Sequence, residues 1–205
     1  MNDQKTFEIE HKETIYQGFF TLERYRVRHT LYEGGWSQPL YRELFRRGSC
    51  VAVLLYDPDQ DKVVLIEQFR IGAVLTPERA WLLEIVAGAI EVGETAEQVA
   101  YRESIEEAGC QIQALHLISE FYTTPGGASE RISLFCGKID ATGIGGVKGL
   151  KAEDEDILVR TVDFNEAYAL MQDGEIDSAI PIIAIQWLAL NKDKIKQLFA
   201  EQVDN

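Results

Sequence analysis

Alternating and continuous apolar stretches follow one another along the first two thirds of the chain, and they predict β-strands. Residues 16–29 alternate between apolar and polar side chains, as a half-buried strand does. Residues 50–56 and 62–71 are apolar runs that flank turn-forming residues at 57–59, a pattern that predicts a hairpin. Further strands are predicted at residues 39–45, 81–90, 113–122 and 131–139.

Helical patterns occur after the central strands and near the end of the chain. Residues 164–172 and 180–190 are predicted helices, and Asp173 with Gly174 ends the first of them. Residues 192–203 are more polar, which predicts a short helix or a frayed tail. With one more helix predicted before residue 109, the order of elements indicates an α/β fold: an α/β/α sandwich around a mixed sheet.

The first 47 residues are predicted to form a small antiparallel β-sheet whose strands are joined at the turn of residues 33–35. Such a small sheet is seldom stable alone, so we expect it to pack against another surface. We therefore divide the chain into an N-terminal β-sheet region, residues 1–47, and a larger α/β domain, residues 48–205. A chain of 205 residues can bury one sizeable core plus such an appendage.

The remaining predicted helix has both of its ends marked in the sequence. Thr95 and Gln98 have the spacing of a capping box, and Gly109 stands where a left-handed residue ends a helix. Glu103 and Glu107 then fall one turn apart on one face. Both carboxylates can therefore reach a common ion.

The same helix carries a crowd of negative charges, because Glu103, Glu106 and Glu107 occupy barely one turn beside Arg102. Like charges at this spacing destabilise a helix unless something neutralises them. A hard divalent cation such as Mg²⁺ prefers carboxylate oxygens and is suited to that role. A solvated acidic helix face accounts for the glutamates as well, and these residues alone leave both interpretations open.

A longer pattern surrounds this helix: Gly88, five residues, Glu94, seven residues, Arg102–Glu103, two residues, Glu106–Glu107, one residue and Gly109. It resembles the box of the Nudix hydrolases, GX5EX7REUXEEXGU with U aliphatic, at every fixed position. The chain departs from the box at the two U positions, which are Ser104 and Cys110. Both side chains are small enough to pack, and Cys behaves as a small hydrophobe in such surroundings.

Three further stretches resemble the bacterial ADP-ribose pyrophosphatases of that superfamily: TTPGGASE at residues 123–130, LEIVAG at residues 83–88 and an acidic loop at residues 149–156. Taken alone, the first is also explained as an ordinary Pro-Gly turn and the third as a solvent-exposed acidic run. The resemblance covers nearly the whole chain, including GFFTLERYRVRH, RELFRRG, VVLIEQFRI and EIDSAIPIIAIQWLAL.

The resemblance implies roles for individual residues. The metal ligands would be the Ala87 carbonyl, Glu103, Glu107 and Glu155. The catalytic set would be Glu153 as general base, Glu106, and Arg102 as the partner that supports the metal-binding glutamates. The substrate-binding residues would be Phe19, which stacks on adenine, Arg42 and Arg70, which contact phosphates, and Gly88, Gly126, Gly127 and Glu130.

Charge is distributed unevenly along the chain. The net charge of −14 argues against a nucleic-acid partner, since phosphate backbones are bound by clustered Lys and Arg. Residues 1–50 carry 8 Lys and Arg with 7 Asp and Glu, a balance of +1, whereas residues 51–205 carry 12 and 27, a balance of −15. This suits a small anionic substrate held between metal and guanidinium. Equally, Arg24, Arg26 and Arg28 are explained as the wet face of a strand.

Cysteine usage and hydropathy bear on the compartment. Three widely spaced cysteines without a C-x-x-C motif suggest neither a disulfide framework nor a thiolate zinc site. The longest apolar run, residues 180–190, is too short to span a bilayer, and the first residues lack the pattern of a secretory signal. We expect a cytoplasmic protein with no membrane partner.

The function implied by the resemblance is Mg²⁺-dependent hydrolysis of the pyrophosphate bond of ADP-ribose to AMP and ribose 5-phosphate. It implies two or more Mg²⁺ ions, with Mn²⁺ as an alternative, and a homodimer whose subunits exchange their N-terminal regions. Two other functions stay open: hydrolysis of another nucleotide sugar such as GDP-mannose, and a non-catalytic sensor that binds ADP-ribose. The sensor is disfavoured because such proteins usually lose box glutamates, all of which are present here.

Overall fold

The computed structural model of the chain describes residues 5–201. These residues form two compact units. The first contains the described residues up to Ser49 together with Tyr122–Arg131, and the second contains Cys50–Phe121 and the described residues from Ile132 onward.

The first unit is built on a three-stranded antiparallel sheet in the order β1 (Phe7–Gln17), β2 (Thr21–His29) and β3 (Leu40–Arg46). The single strand predicted over residues 16–29 is wrong, since a turn closed by Gly18 N donating to Phe20 O separates β1 from β2. Residues 122–131 join the same unit through a parallel bridge between Phe45 and Ala128.

The second unit is built on an eight-stranded sheet. Its strands are β4 (Ser49–Asp57), β5 (Lys62–Phe69), β6 (Trp81–Glu84), β7 (Val86–Ala89), β8 (Ala114–Tyr122), β9 (Arg131–Lys138), β10 (Gly146–Lys148) and β11 (Ile157–Asp163). The main order is β10-β11-β5-β4-β9-β8, with β6 on β5 and β7 on β4. Ile139 N, just after β9, donates to Tyr56 O near the end of β4, so these two strands run parallel in an otherwise largely antiparallel sheet.

Helices cover both faces of this sheet. Alternate residues of β4 enter two separate cores: Val51, Val53 and Leu55 pack with α1 (Ala96–Ala108), while the intervening residues pack with the C-terminal helices. Those helices are α2 (Phe164–Gln172) and α3 (Ala179–Glu201). The prediction of an α/β/α sandwich around a mixed sheet is confirmed.

Two details differ from the sequence predictions. The strand predicted over residues 81–90 is two strands, because the chain leaves β5 at Glu84, passes the buried Ile85 and pairs with β4 from Val86 onward. The helix predicted over 180–190 continues to Glu201 as α3, so the separate segment predicted after residue 192 is part of it. Among the described residues, no helix is both long enough and apolar enough to cross a membrane.

Candidate active site

Helix α1 is held at both ends as its sequence predicts. Gln98 N donates to Thr95 Oγ1 at 3.3 Å and Thr95 N donates to Gln98 Oε1 at 2.8 Å, which completes the capping box. Gly109 adopts a left-handed conformation with φ of 66°, and Cys110 N donates to Ser104 O at 2.8 Å. Ser104 and Cys110 are both buried, so the two departures from the box are packed inside the fold.

Arg102 is the centre of an ion-pair network on α1. Its guanidinium donates to both carboxylate oxygens of Glu94, at 3.1 and 3.2 Å. The same group reaches Glu103 Oε1 at 2.8 Å and Glu106 Oε2 at 2.9 Å. Three carboxylates thus share one cation, which raises the pKa of Arg102 and fixes the side chains around it.

Glu107 has no part in this network and is almost completely buried. Only 3% of the residue is exposed, and Glu107 Oε2 accepts a hydrogen bond of 2.9 Å from Ala87 N. Burial raises the pKa of Glu107 to about 8, and the negative charges of Glu103 and Glu155 add to that effect. The surrounding residues therefore do not fully offset the cost of burying the charged form of this carboxyl group.

Glu103 packs directly against the backbone of Gly88. A Cβ atom at position 88 would overlap the Glu103 carboxylate, so a glycine is required there for this packing. Burial, with contributions from Glu106 and Glu155, raises the pKa of Glu103 despite the nearby Arg102. The backbone of β7 thus brings Ala87, Gly88, Glu103 and Glu107 to one place.

The acidic loop after β10 supplies Glu155. Leu150 N donates to Glu155 Oε2 at 3.0 Å and Glu155 N donates to Leu150 O at 3.3 Å, so the loop closes on itself around a short 3₁₀ turn, Lys151–Glu153. The negative charge of Glu155 contributes to the raised pKa of both Glu103 and Glu107. The side chain of Glu153, the predicted base, lies outside what the structure describes.

The predicted metal ligands can be compared with the chemistry that a divalent ion needs. Within residues 5–201, no three His, Cys, Asp or Glu side chains are already spaced to enclose a metal ion. Here Glu103 is turned towards Arg102, and Glu107 towards the backbone of β7. The carboxylate oxygens of Glu103, Glu107 and Glu155 and the burial of Glu107 nevertheless fit a hard divalent cation, which would be held by these three side chains and the Ala87 carbonyl.

Arg70 lies just beyond β5 in the same unit. Its Nε donates to Glu84 Oε2 at 2.6 Å, and its charge lowers the pKa of Glu107. Sequence reasoning missed Glu84, because the pairing depends on the register in which β6 lies beside β5. The pair holds a guanidinium beside the carboxylate cluster.

In the first unit, the three arginines of β2 are paired. Arg24 contacts Glu13 and Glu43 at 3.4 and 3.1 Å. Arg26 contacts Glu10 at 3.0 Å, and Arg28 contacts Glu8 at 2.6 Å. The alternative interpretation, that these arginines form the wet face of a strand, is the one the structure supports. We call these ion pairs the charge ladder.

Arg42 and Phe19, the predicted substrate-binding residues of the first unit, are not part of that ladder. Arg42 lies on β3 and donates to Tyr41 O at 2.8 Å, and no described carboxylate lies within ion-pair distance of it. Phe19 is 95% exposed, and its ring meets the ring of Phe20 edge to face, at a centroid distance of 4.7 Å. The Arg42 guanidinium and the Phe19 ring are therefore both available to contact a ligand.

The Pro-Gly segment of the first unit is fastened at both ends. Glu130 accepts from Thr123 Oγ1 at 2.8 Å and pairs with Arg47 at 3.0 Å, while Phe45 N donates to Gly127 O at 2.8 Å. Gly126 and Gly127 have no positive φ, and Cβ atoms there would meet open space. Neither torsion angle nor internal packing therefore requires these two glycines.

The predicted site residues thus fall into two groups. The second unit brings together Arg70, Ala87, Gly88, Arg102, Glu103, Glu106, Glu107 and Glu155. The first unit holds Phe19, Arg42, Gly126, Gly127 and Glu130. The assigned roles stay predictions.

Comparison with known proteins identifies relatives over most of the chain. The ADP-ribose pyrophosphatase of Escherichia coli is 48% identical over 193 residues, covering 94% of this chain and 92% of that protein. The GDP-mannose pyrophosphatase of Cronobacter sakazakii is 36% identical over 151 residues, covering 73% of this chain and 78% of that protein.

A solved structure, described as the crystal structure of an ADP compounds hydrolase, has the same fold with a TM-score of 0.69 at 18% identity. It covers 92% of this chain and 95% of its own. The model of the NUDIX domain family matches residues 46–184, a range that includes the whole carboxylate cluster. The chain therefore belongs to the NUDIX domain family.

Proposed function

We propose that this protein hydrolyses the pyrophosphate bond of ADP-ribose to AMP and ribose 5-phosphate. The observation that carries the proposal is the group of Glu103, Glu107 and Glu155 beside the Arg70 guanidinium, in which Glu107 is buried and the pKa values of Glu103 and Glu107 are raised. Such a site suits a cation together with a diphosphate. The 48% identity to an ADP-ribose pyrophosphatase over 94% of the chain supports the choice of substrate.

Nudix hydrolases generally use divalent metal ions. We propose Mg²⁺ here, in two or more copies, with Mn²⁺ able to replace it. When bound, the ions would lower the repulsion between the diphosphate and an incoming hydroxide. Glu103, Glu107, Glu155 and the Ala87 carbonyl would hold them. Arg102 would keep Glu103 and Glu106 oriented through its hydrogen bonds of 2.8 and 2.9 Å, as partners of metal ligands generally do.

The remaining residues would bind the substrate and move the proton. Arg70 and Arg42 would donate to phosphate oxygens, and Arg42 is suited to this because no described carboxylate neutralises it. Glu153 would take a proton from the attacking water as the oxygen of that water bonds to one phosphorus and the bridging P–O bond breaks. Gly126 and Gly127 would let the backbone approach the ligand closely, which gives a reason for glycines that the fold does not require.

Two alternatives have less support. Hydrolysis of GDP-mannose rests on relatives of lower identity, 36% over 73% of the chain for the protein of Cronobacter sakazakii. A non-catalytic sensor would not need the intact network in which Arg102 binds Glu94, Glu103 and Glu106. Assays with a panel of nucleoside diphosphate compounds test both alternatives.

We also propose a homodimer that exchanges its N-terminal regions and a cytoplasmic location. Exposed apolar side chains on β1, among them Phe7, Ile9 and Tyr16, support a partner surface. In such a dimer both subunits would line each site, and the first unit of one subunit would supply Arg42 and Phe19.

The proposed cytoplasmic location is supported by the cysteines. The thiols of Cys110 and Cys136 are buried and form no disulfide, which agrees with a reducing compartment.

The deciding experiment assays ADP-ribose, GDP-mannose and other nucleoside diphosphate compounds side by side, with Mg²⁺ and with a chelator, and identifies products by mass. We expect AMP and ribose 5-phosphate from ADP-ribose, at the highest kcat/KM of the panel and only with metal. Faster turnover of GDP-mannose would reassign the substrate. Binding of ADP-ribose without any product would favour the sensor.

A further inference from the structure

Gln68 is a buried residue on β5 that neither the box nor the resemblance to known enzymes assigned to the site. It is 8% exposed, and its side-chain Nε2 is buried without a hydrogen-bond partner among the described residues. A buried amide donor without an acceptor destabilises a folded protein, and such groups are rare in native structures. An orphaned donor at this place therefore needs an explanation.

The strand geometry shows which way Gln68 faces. Along β5, Val64 and Ile66 pack in the core beneath α1, and successive residues of a strand alternate between faces. Gln68 continues that row. The alternation extends one step further, because Arg70 has extended torsion angles, φ −126° and ψ 115°, and its N–H donates to Ala80 O. Gln68 and Arg70 thus share the face that carries the carboxylate cluster.

Contacts on the opposite face agree with this assignment. Phe69, between the two residues, meets Trp81 edge to face at 5.4 Å on the other side of the sheet. The cross-strand partner of Ile66 is Glu84, which faces the α1 side and binds Arg70. An amide and a guanidinium therefore stand side by side as donors on one face.

The surroundings of Gln68 indicate what kind of acceptor is missing. Strand β11 begins beside the same end of β5, with Leu158 opposite Glu67, and Glu155 lies just before β11. The carboxylates of the cluster are directed at other donors, Glu103 at Arg102, Glu107 at Ala87 and Glu155 at Leu150, and none of them accepts from the Gln68 amide. An oxygen-rich anionic ligand bound by Arg70 would bring the acceptor that the protein lacks.

We infer that Gln68 is a substrate-binding residue whose side-chain amide donates a hydrogen bond to a phosphate oxygen of the bound diphosphate compound. The inference rests on the proposed function for the identity of that compound. It adds a neutral donor beside Arg70. A neutral amide helps to orient a phosphoryl group without competing with the metal for negative charge.

The test uses Gln68→Met, which keeps the volume and removes the amide. Because the wild-type donor is buried without a partner among the described residues, the variant should unfold at a temperature roughly 1–5 °C higher without metal and substrate. Its Kd for ADP-ribose in EDTA should weaken about tenfold, as expected for a lost hydrogen bond to a charged group. Gln68→Glu, which places a negative charge there, should weaken binding further.

Gln60→Met is the matched control. The Gln60 amide is satisfied by Asp57 Oδ2 and Thr142 Oγ1, both at 3.0 Å, so its removal should lower the unfolding temperature and leave Kd unchanged. If Gln68→Met behaves in the same way as this control, the inference is overturned and Gln68 is structural.

The binding measurement separates this inference from the proposed function. Wild-type protein that binds ADP-ribose in EDTA but forms no product with Mg²⁺ overturns the proposed function, and the Kd of Gln68→Met still decides the inference. If the wild-type protein turns over ADP-ribose and Gln68→Met binds ADP-ribose with an unchanged Kd, only the inference is overturned. Wild-type protein that neither binds ADP-ribose nor forms product from it with Mg²⁺ overturns both.

Discussion

The two units arrange their charged residues in opposite ways. On the charge ladder of the first unit, Arg24, Arg26 and Arg28 each meet a glutamate of a neighbouring strand, so the charges cancel locally on an exposed face. In the second unit, Glu107 is buried, and the hydrogen bond from Ala87 N and the charge of Arg70 do not prevent burial from raising its pKa. We infer from this difference that a buried charge whose cost is not offset by local pairing is a better guide to a candidate site than the density of charged residues.

Glu107→Gln is expected to have the largest effect on activity of the variants that test this difference. Loss of the carboxylate should reduce kcat by roughly 10³-fold or more, because a metal ligand is removed. Above about pH 8, the metal-free variant should unfold at a higher temperature than wild type, because the wild-type Glu107 is then charged and an amide is not. Activity assays at saturating Mg²⁺ and thermal unfolding in EDTA measure the two effects.

Glu97→Gln is the control for that prediction, because Glu97 lies on the exposed first turn of the same helix. It removes the same charge and should change neither quantity appreciably. Wild-type turnover in Glu107→Gln would remove the metal-binding role from the proposal.

The second prediction concerns pH. Burial raises the pKa of Glu107 to about 8, so below that pH a proton competes with the ion. The Kd for Mg²⁺ should weaken by about tenfold for each pH unit below 8 in wild type. Calorimetric titration between pH 6 and pH 9 measures this dependence, and an affinity that does not change with pH would contradict it.

The free energy of unfolding of the metal-free protein should also depend on the protonation of Glu107, and it should decrease as pH rises. The folded pKa of Glu107 lies above the unfolded value of about 4.3, so the folded state binds the proton more tightly. This contribution is fully present below about pH 4.3 and is lost as pH rises to about 8. Chemical unfolding in EDTA should show the decline in wild type, and it should be smaller in Glu107→Gln.

The third prediction tests the close packing of Glu103. Gly88→Ala should displace the Glu103 carboxylate, which a methyl group at that position would overlap, and lower kcat by roughly 10–100-fold. Gly72→Ala is the matched control, because a Cβ at Gly72 would meet open space and its φ is not positive. Equal activity of the two variants would mean that the position of Glu103 is not critical.

The smallest effects compare two arginines of the first unit. Arg42→Ala should raise KM for ADP-ribose by about tenfold with an unchanged unfolding temperature, because it loses a substrate contact and no ion pair. Arg24→Ala should leave KM unchanged and alter stability slightly, as exposed ion pairs usually do. An equal rise in KM for Arg24→Ala and Arg42→Ala would contradict the substrate-binding role of Arg42.

The sequence predicted best those features that are encoded within a few neighbouring residues. Thr95, Gln98 and Gly109 specify the ends of α1 through contacts with the nearby backbone, and the structure has them in those roles. Helix α2 likewise has the predicted bounds, Phe164–Gln172. The fixed spacing of the box then places Glu103 and Glu107 on one face.

Features that depend on distant pairing were not predictable in this way. The turn at Gly18–Phe20 contains two aromatic residues, so the apolar pattern continued through it and β1 was missed. The contact between Arg70 and Glu84, and the orphaned amide of Gln68, both follow from the register of β5 against β6. That register depends on tertiary packing, which local residue patterns do not report.

Ile85, the single residue between β6 and β7, restricts where residues can be inserted into or deleted from this chain. Between Glu84 and Val86 a single residue carries the backbone from one strand partner to another, so Glu84 and Ala87 are set in place by the same short link. One inserted or deleted residue there would shift both the partner of Arg70 and the donor to Glu107. We therefore expect length changes in homologous chains to accumulate in turns elsewhere and to be absent from this link.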